Sequence, residues 1–184
     1  MVDARPPTLP DLQDLARVED FVAWIERQPV RYEVIDGRLT MMPGGTRLHS
    51  RLAVRVVGSL ERQLAGQPCE AFNGDFLLDL GPGRRFYPDA MVVCDETRDW
   101  TDRPALVVEV LSESTLAYDL GSKLQAYLTL PSVLYVVYLW QDRPRARVWA
   151  KDAEPADLDG PAEVIELPRL GLRLPLGELY AGLR

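Results

Sequence analysis

The spacing of apolar residues along the chain predicts three helices. Apolar side chains recur at offsets of three and four over residues 10–28, 46–65 and 114–130, so each segment has one apolar side. Pro29 ends the first segment, and a Pro-Gly-Gly break at residues 43–45 precedes the second. Each segment is therefore predicted to be a helix that packs against a core through one face.

Short apolar runs between turn residues predict the strands. Asp36-Gly37 separates two strand-like runs and predicts a hairpin over residues 31–42. The continuous apolar run at residues 104–111 is typical of a buried central strand. The other predicted strands cover residues 69–80, 84–94, 133–140, 145–150 and 162–167. This order of elements predicts an α/β fold, with a mixed β-sheet core flanked by helices.

The length of the chain predicts a single domain. Its 184 residues, 47% of them apolar, are enough for one domain with its own core over residues 1–184. We divide it into an N-terminal helical segment (1–30), a core (31–150) and a C-terminal extension (151–184). No apolar run reaches the roughly 20 residues that cross a bilayer. The first residues lack the apolar stretch of a secretory signal, so we expect a cytoplasmic protein without membrane association.

Charge and cysteine content narrow the possible functions. The net charge of −7 argues against a nonspecific nucleic-acid coat protein, because phosphate binding normally needs a basic surface. One histidine with Cys69 and Cys94 does not make a conventional zinc site. We expect the two cysteines to be buried free thiols, the alternative being a disulfide or reactive pair. A metal would be held by carboxylate oxygens, which favours Mg²⁺ or Mn²⁺.

Glu109 is the first candidate site residue. It lies inside the apolar run of residues 104–111, on the same strand face as Val107 and Leu111. A lone carboxylate there would cost several kcal/mol in desolvation, so it needs a metal or a charged partner. The alternative to a metal ligand is a glutamate paired with an arginine or lysine in a core network.

Asp89 and Lys123 complete the candidate set. Asp89 follows Pro88 and precedes an apolar run; the simpler interpretation is a turn that starts a strand. Lys123 comes three residues after Leu120 and four before Tyr127, so it leans toward the apolar side of the third helix. The alternatives are a snorkelling lysine or one bonded to Asp119.

The three residues together indicate phosphodiester chemistry. Two carboxylates on adjacent strands would share one hard cation, which polarises a phosphate and lowers the pKa of a bound water. A neighbouring lysine would orient that water or neutralise developing charge. No nucleophile elbow surrounds Ser112 or Ser114, and no Walker or Rossmann glycine pattern occurs.

The motifs that carry these residues resemble a known family. YEVIDGRL, then His49, YPDAMVV, LVVEVLSEST and DLGSKLQAY are similar to the Uma2 family of restriction-endonuclease-like proteins, within the PD-(D/E)XK nuclease superfamily. The resemblance covers about residues 32–140. It implies a restriction-endonuclease-like mixed sheet flanked by helices, with Asp89 and Glu109 as metal ligands. It also implies DNA as the substrate and leans toward a homodimer.

The resemblance assigns further residues. The superfamily's usual lysine position, two residues after the glutamate, is Leu111 here, and the lysine maps onto Lys123 on the next helix. Glu33 matches an early acidic position, which either completes the catalytic site or only ends a strand. His49 either contacts phosphate or caps or lines its helix. Ser112, within the LVVEVLSEST motif, is the other candidate substrate-binding residue.

Two departures from the family pattern leave the activity open. Glu113 replaces a proline that usually follows the buried strand, and residues 131–134 lack the usual glutamate of a Gly-Val-x-Glu motif. Our leading hypothesis is a Mg²⁺- or Mn²⁺-dependent DNA endonuclease. The alternatives are a catalytically inactive nuclease-fold module that binds nucleic acid or a protein, and a hydrolase of another phosphodiester.

Overall fold

The structure, a computed structural model, describes residues 9–42, 44–94, 98–112 and 119–183. These residues form a mixed α/β fold, as predicted. The strands are β1 (Tyr32–Ile35), β2 (Arg38–Met41), β3 (Cys69–Asn73), β4 (Leu77–Asp79), β5 (Arg85–Phe86), β6 (Ala90–Cys94), β7 (Trp100–Thr101), β8 (Pro104–Leu111), β9 (Tyr135–Trp140), β10 (Arg145–Ala150), β11 (Ala156–Asp159), β12 (Val164–Leu167) and β13 (Leu172–Pro175). The α-helices are α1 (Val18–Ile25), α2 (Arg47–Leu64), α3 (Leu124–Leu128) and α4 (Leu176–Tyr180).

Contacts between residues group the chain into two units. Unit 1 comprises Met1–Pro43 and Asp79–Phe86, and unit 2 comprises Gly44–Leu78 and Tyr87–Arg184. One domain can contain two such groups, so the single domain with its three segments stays a prediction. Among the described helices, none combines the length and the apolar character that crossing a bilayer requires.

Unit 1 contains the predicted hairpin. β1 and β2 pair antiparallel, and Asp36 and Gly37 both have positive φ (44° and 76°), as a two-residue hairpin turn demands. β5 pairs antiparallel with β1 through Val34 and Arg85. The first helix is shorter than expected: α1 begins at Val18, because residues 12–15 form turns in which the Asp11 carboxylate accepts a hydrogen bond from the Gln13 backbone.

Arg85 is fully buried in unit 1 and is the largest fully buried side chain of the described residues. Its Nε donates to Asp79 Oδ1 at 2.6 Å, and its two terminal nitrogens donate to the backbone oxygens of Leu15 and Ala16. The guanidinium carbon lies 5.0 Å from the centre of the Phe21 ring. Each nitrogen of this cation therefore has a hydrogen-bond acceptor, which offsets its loss of hydration.

Unit 2 is built around a six-stranded sheet with the order β11-β10-β9-β8-β6-β3. The central strands β8 and β9 are parallel, and the other neighbouring pairs are antiparallel. β8 coincides with the apolar run at residues 104–111, and β9 lies within the run at residues 133–140. Nearly all of their residues are buried, which confirms both as central strands. The apolar face of α2 packs into the same core through Leu52, Val56 and Leu60, all fully buried.

The rest of unit 2 consists of short elements. β4 pairs parallel with β7 through Leu77 and Leu78, and β12 and β13 form a separate hairpin followed by α4. The sequence did not predict β7, β11, β13 or α4, because segments of two to five residues carry too few positions for a periodic pattern. β11 lies between two of the predicted strands, in residues for which no strand was predicted.

The third predicted helix is only partly described and is not regular. Residues 113–118 lie outside the described residues. An irregular helical turn covers Asp119–Lys123, and α3 follows it. Gly121 has φ −103° and ψ −105°, which interrupts the helix, and a residue without Cβ adopts such a backbone most easily.

The cysteine prediction was wrong. Cys69 and Cys94 form a disulfide, and neither is fully buried. They face each other at the ends of β3 and β6, where the antiparallel register pairs Cys69 with Cys94. Directly opposed residues of an antiparallel pair lie close enough for this bond, whereas the linear sequence does not reveal the register.

The Arg85 network predicts a large loss of stability on neutralisation. Arg85→Met should lower the free energy of unfolding by about 3–5 kcal/mol, because it leaves Asp79, whose side chain is only 13% exposed, and two backbone oxygens without their charged partner. The matched control is Arg84→Met, whose arginine pairs with Asp36 at 3.1 Å with both side chains about half exposed. That change should cost less than about 1 kcal/mol. Equal losses in urea unfolding would contradict the assigned role of Arg85.

The disulfide predicts that stability depends on redox conditions. It closes a loop with a sequence separation of 25 residues, for which chain-entropy arguments give about 3.5 kcal/mol. Reductant should therefore lower the melting temperature of the protein. The double variant C69S/C94S should melt near the temperature of the reduced parent in both conditions, with no response to reductant. A melting temperature of the parent chain that is insensitive to reductant, together with two titratable thiols, would show that the bond does not form.

Candidate active site

Asp89 is fixed by hydrogen bonds at the start of β6. Its Oδ2 accepts from the Val110 backbone N–H of β8 at 2.7 Å and lies 3.1 Å from His49 Nε2. Pro88 and Asp89 interrupt the regular strand, and the carboxylate replaces a main-chain acceptor for Val110. Both of these contacts use Oδ2, so among the described residues Oδ1 has no partner. The side chain is one-fifth exposed.

His49 approaches Asp89 from α2. Its backbone N–H donates to Thr46 Oγ1 at 3.2 Å, which caps the helix, while its ring faces the carboxylate. An ionised Asp89 only accepts, so Nε2 carries the hydrogen in this contact. Gly45 allows the ring this position: a Cβ there would lie 2.9 Å from His49 Nδ1. The histidine was expected to cap its helix or bind phosphate, and its contact with Asp89, 40 residues away, was not foreseen.

Glu109 is buried inside the sheet on β8. Its side chain is 6% exposed, and Oε1 accepts from the Tyr127 hydroxyl at 2.6 Å. Lys123 Nζ lies 3.5 Å from the same oxygen. A glutamate paired with a lysine in the core was the alternative to a metal ligand, and these contacts match it. They do not oppose a catalytic role, because a buried acid and base held together also form a reactive site.

Lys123 and Tyr127 reach Glu109 from the helical segment beside β8. Lys123 is buried, which confirms that it turns toward the apolar side. Tyr127 was missed as a site residue and was assigned only to the apolar stripe. Two signals could have identified it: it follows Lys123 by four residues on the same helix face, and a buried tyrosine hydroxyl needs a hydrogen-bond partner.

The two acids lie at neighbouring strands, as predicted. β6 and β8 pair antiparallel with Ala90 opposite Val108, and one further step in this register places Asp89 opposite Glu109. Asp89 also opens onto a cleft of about 470 Å³, which the first three turns of α2 line together with Asn73 and Gly74. Glu109 and Lys123 are not part of this lining. Asp89 is thus the accessible acid and Glu109 the buried one.

The donor chemistry fits a hard cation better than zinc. Among the described residues, no three His, Cys, Asp or Glu side chains gather at a metal-binding distance. Mg²⁺ is often held by one or two carboxylates, with water and substrate phosphate completing its shell. Asp89, through Oδ1, and Glu109 would provide such a pair.

For two predicted site residues, Ser112 and Glu33, the structure gives a position but does not test a role. Ser112 directly follows β8 and is half-buried. Glu33 is buried on β1, opposite Thr40, and lies in unit 1, whereas the other candidates lie in unit 2. The participation of both residues in the site stays a prediction.

The comparisons with known proteins concern the family and the fold of the chain. The family model "Uma2: Putative restriction endonuclease" matches residues 18–177. The chain is 31% identical to the uncharacterized protein slr1290 of Synechocystis over 90% of the chain and 91% of the relative. It is 29% identical to the uncharacterized protein sll1609 of the same organism, over 59% of the chain and 65% of that relative.

A solved structure shares the fold. It is the crystal structure of a putative nuclease belonging to DUF820 from Anabaena variabilis, with a TM-score of 0.72 and 17% sequence identity. The match covers 91% of this chain and 98% of the Anabaena chain. At this identity the likeness concerns the fold.

The buried tyrosine predicts a measurable contribution to stability. Tyr127→Phe should lower the free energy of unfolding by about 1.5–3 kcal/mol, because its hydroxyl donates to a charged acceptor. The control is Tyr135→Phe, in which another buried tyrosine hydroxyl accepts from the neutral Arg169 backbone N–H. That loss should be about 1 kcal/mol. A smaller loss in Tyr127→Phe than in the control, measured by urea unfolding, would mean that Glu109 is not charged.

Proposed function

The chain belongs to the Uma2 family, and from this membership we propose that it is a divalent-metal-dependent endonuclease that hydrolyses DNA phosphodiester bonds. The observation that carries the proposal is the hydrogen bond of 2.7 Å that the Val110 backbone N–H donates to Asp89. Since Val110 directly follows Glu109, this bond holds the accessible acid next to the buried one. The family is described as a putative restriction endonuclease, and the similar Anabaena protein is named a putative nuclease. Both descriptions support the same chemistry.

Asp89 and Glu109 are the proposed metal ligands. When bound, Mg²⁺ or Mn²⁺ would supply Lewis-acid polarisation of a phosphate oxygen. The protein contributes the fixed position of the carboxylates: the β8 backbone holds Asp89, and the Tyr127 hydroxyl holds Glu109. Rigid ligands of this kind need little reorganisation when charge develops in the reaction.

Lys123 is the proposed source of positive charge for the reaction. Its ammonium lies 3.5 Å from Glu109 Oε1 and its side chain is 8% exposed, so its charge is only weakly screened by solvent. From that position it would orient the attacking water and stabilise negative charge on the phosphate. His49 and Ser112 are proposed to contact the substrate, and a catalytic role of Glu33 stays an expectation from the sequence.

A catalytically inactive module of the same fold is the second candidate. The observation that favours it is that Lys123 and Tyr127 both contact Glu109 Oε1, as in a structural core network. Such a module would bind nucleic acid or a protein partner. A net charge of −7 is consistent with the protein partner.

Assembly and location belong to the same proposal. We propose that the protein acts in the cytoplasm and that two copies form a homodimer, as the family resemblance implies. Light scattering of the purified protein should give twice the 20.7 kDa mass of the chain.

Cleavage assays test the function directly. Plasmid and linear DNA should be cut with Mg²⁺ or Mn²⁺ and left intact with EDTA. Asp89→Asn and Lys123→Met should each lower the cleavage rate by about 100-fold or more, because they remove a metal ligand and a charge that acts on the transition state. The control Lys151→Met removes a lysine that donates to the Pro131 backbone at the surface, and it should leave the rate unchanged.

The outcomes separate the two candidates. Calorimetry with Mn²⁺ should show binding in the parent protein and weaker binding in Asp89→Asn. Unchanged cutting in both site variants would mean that the activity is not from this site. Absence of both Mn²⁺ binding and cutting would favour the inactive module.

A further inference from the structure

Four arginines share one side of α2. Arg47, Arg51, Arg55 and Arg62 fall within an arc of about 80° at 3.6 residues per turn. We call them the arginine face. They span about 22 Å along the helix at 1.5 Å per residue, which corresponds to roughly six base-pair steps. This side of the helix is distinct from the side that Leu52 and Leu60 bury in the core.

The arginine face contrasts with the charge of the whole protein. Four arginines and Glu61 give α2 a net charge of +3 with His49 neutral, whereas the whole chain carries −7. The residues outside α2 therefore sum to −10. Positive charge collected on one helix of an acidic protein creates a local attraction for anions that the net charge conceals.

Several other arginines of unit 2 are already paired with carboxylates. Arg98 pairs with Asp102, Arg147 with Asp157 and Arg173 with Glu166. Within the described part of the chain, Arg51, Arg55 and Arg62 form no ion pair. Arg55 donates to a neutral acceptor, the Leu179 backbone oxygen at 2.8 Å. Their charges are therefore available to an anionic ligand.

The arginine face borders a groove that adjoins the candidate site. Arg55, Gly58 and Arg62 line a groove of about 440 Å³ between α2 and α4. Val54, which is 69% exposed, lines both this groove and the cleft of Asp89 and His49. One rigid helix thus carries His49 and the arginines, and the two concave surfaces meet at Val54.

We propose that the arginine face binds the sugar-phosphate backbone of a nucleic acid and aligns the strand with the cleft at Asp89. This proposal rests on the proposed function, because it names the surface that would hold that enzyme's substrate. Guanidinium groups suit phosphate oxygens, and a row of them at helical spacing contacts successive phosphates without reading bases. Glu178, exposed in the same groove, opposes the ligand and reduces its affinity.

The test measures binding without metal, so that it does not depend on catalysis. Fluorescence anisotropy of a labelled DNA duplex is recorded in EDTA at several salt concentrations. The double variant R51Q/R62Q should bind on the order of tenfold more weakly at low salt, and its log–log salt slope should be shallower by about 1.8, because each lost phosphate contact removes about 0.9.

A matched control separates this surface from general charge. R147Q/R173Q removes the same two charges from arginines that are paired with Asp157 and Glu166, and it should keep the parent salt slope. Glu178→Gln should act in the opposite direction and tighten binding. Thermal melting of all variants checks that each is folded.

Each possible result either supports or overturns the proposed role of the arginine face. A parent-like slope in R51Q/R62Q, or an equal loss in R147Q/R173Q, would overturn the proposal. Absence of DNA binding by the parent protein would also overturn it. DNA binding that depends on the arginine face but is not followed by cleavage with Mn²⁺ would retain the proposal and reject the endonuclease.

Discussion

The hydrogen bond between the Asp89 carboxylate and the Val110 backbone N–H is the constraint on which the candidate site depends. The carboxylate takes the place of a main-chain acceptor at the end of the β6–β8 pair. The Asp89 side chain is therefore held in position by the backbone of the sheet. Because Val110 follows Glu109, the same bond relates the accessible acid to the buried one. His49 contacts the same oxygen from α2 at 3.1 Å, which ties the helix to the site. A carboxylate held from a strand and from a helix loses little conformational entropy when it binds a ligand.

The sequence predicted the elements that have a clear apolar pattern, and it predicted the charged residues whose burial costs free energy. β8 matches the apolar run at residues 104–111, and α2 begins and ends within one residue of its predicted bounds. Glu109 was identified because a carboxylate in such a run needs a partner. The His49 contact with Asp89 and the Cys69–Cys94 bond were not predicted, because both depend on how distant segments pair. Periodicity fixes which side of an element is apolar, whereas register and helix placement arise only when the segments pack together.

The distribution of charge resolves an apparent conflict between an acidic protein and the anionic substrate that we propose for it. A net charge of −7 describes long-range repulsion, which salt screens beyond about 8–10 Å. Contacts with phosphate act at shorter range, where the local arrangement of arginines decides the sign of the potential. Net charge alone argued against a nonspecific nucleic-acid coat protein, but positive charge is collected on the arginine face of α2, whereas Asp89 and Glu109 lie at the ends of neighbouring strands. Acidic groups would recruit a cation, and a basic surface would hold the polyanion.

The Glu109, Lys123 and Tyr127 cluster is difficult to explain by stability alone. A buried ion pair rarely contributes more than well-packed apolar side chains of similar volume, and the desolvation of both charges often exceeds their attraction. Leu or Met at these positions would suit the apolar surroundings of β8 and α3 at least as well. The cluster nevertheless lies beside the strand end where Asp89 meets a cleft, rather than at a random place in the core. Reactive sites often contain buried charged groups that reduce stability, because catalysis needs charges in fixed positions with little water around them. Energetics and position therefore support the proposal of a reactive site at this end of the sheet, on grounds separate from the family to which the chain belongs.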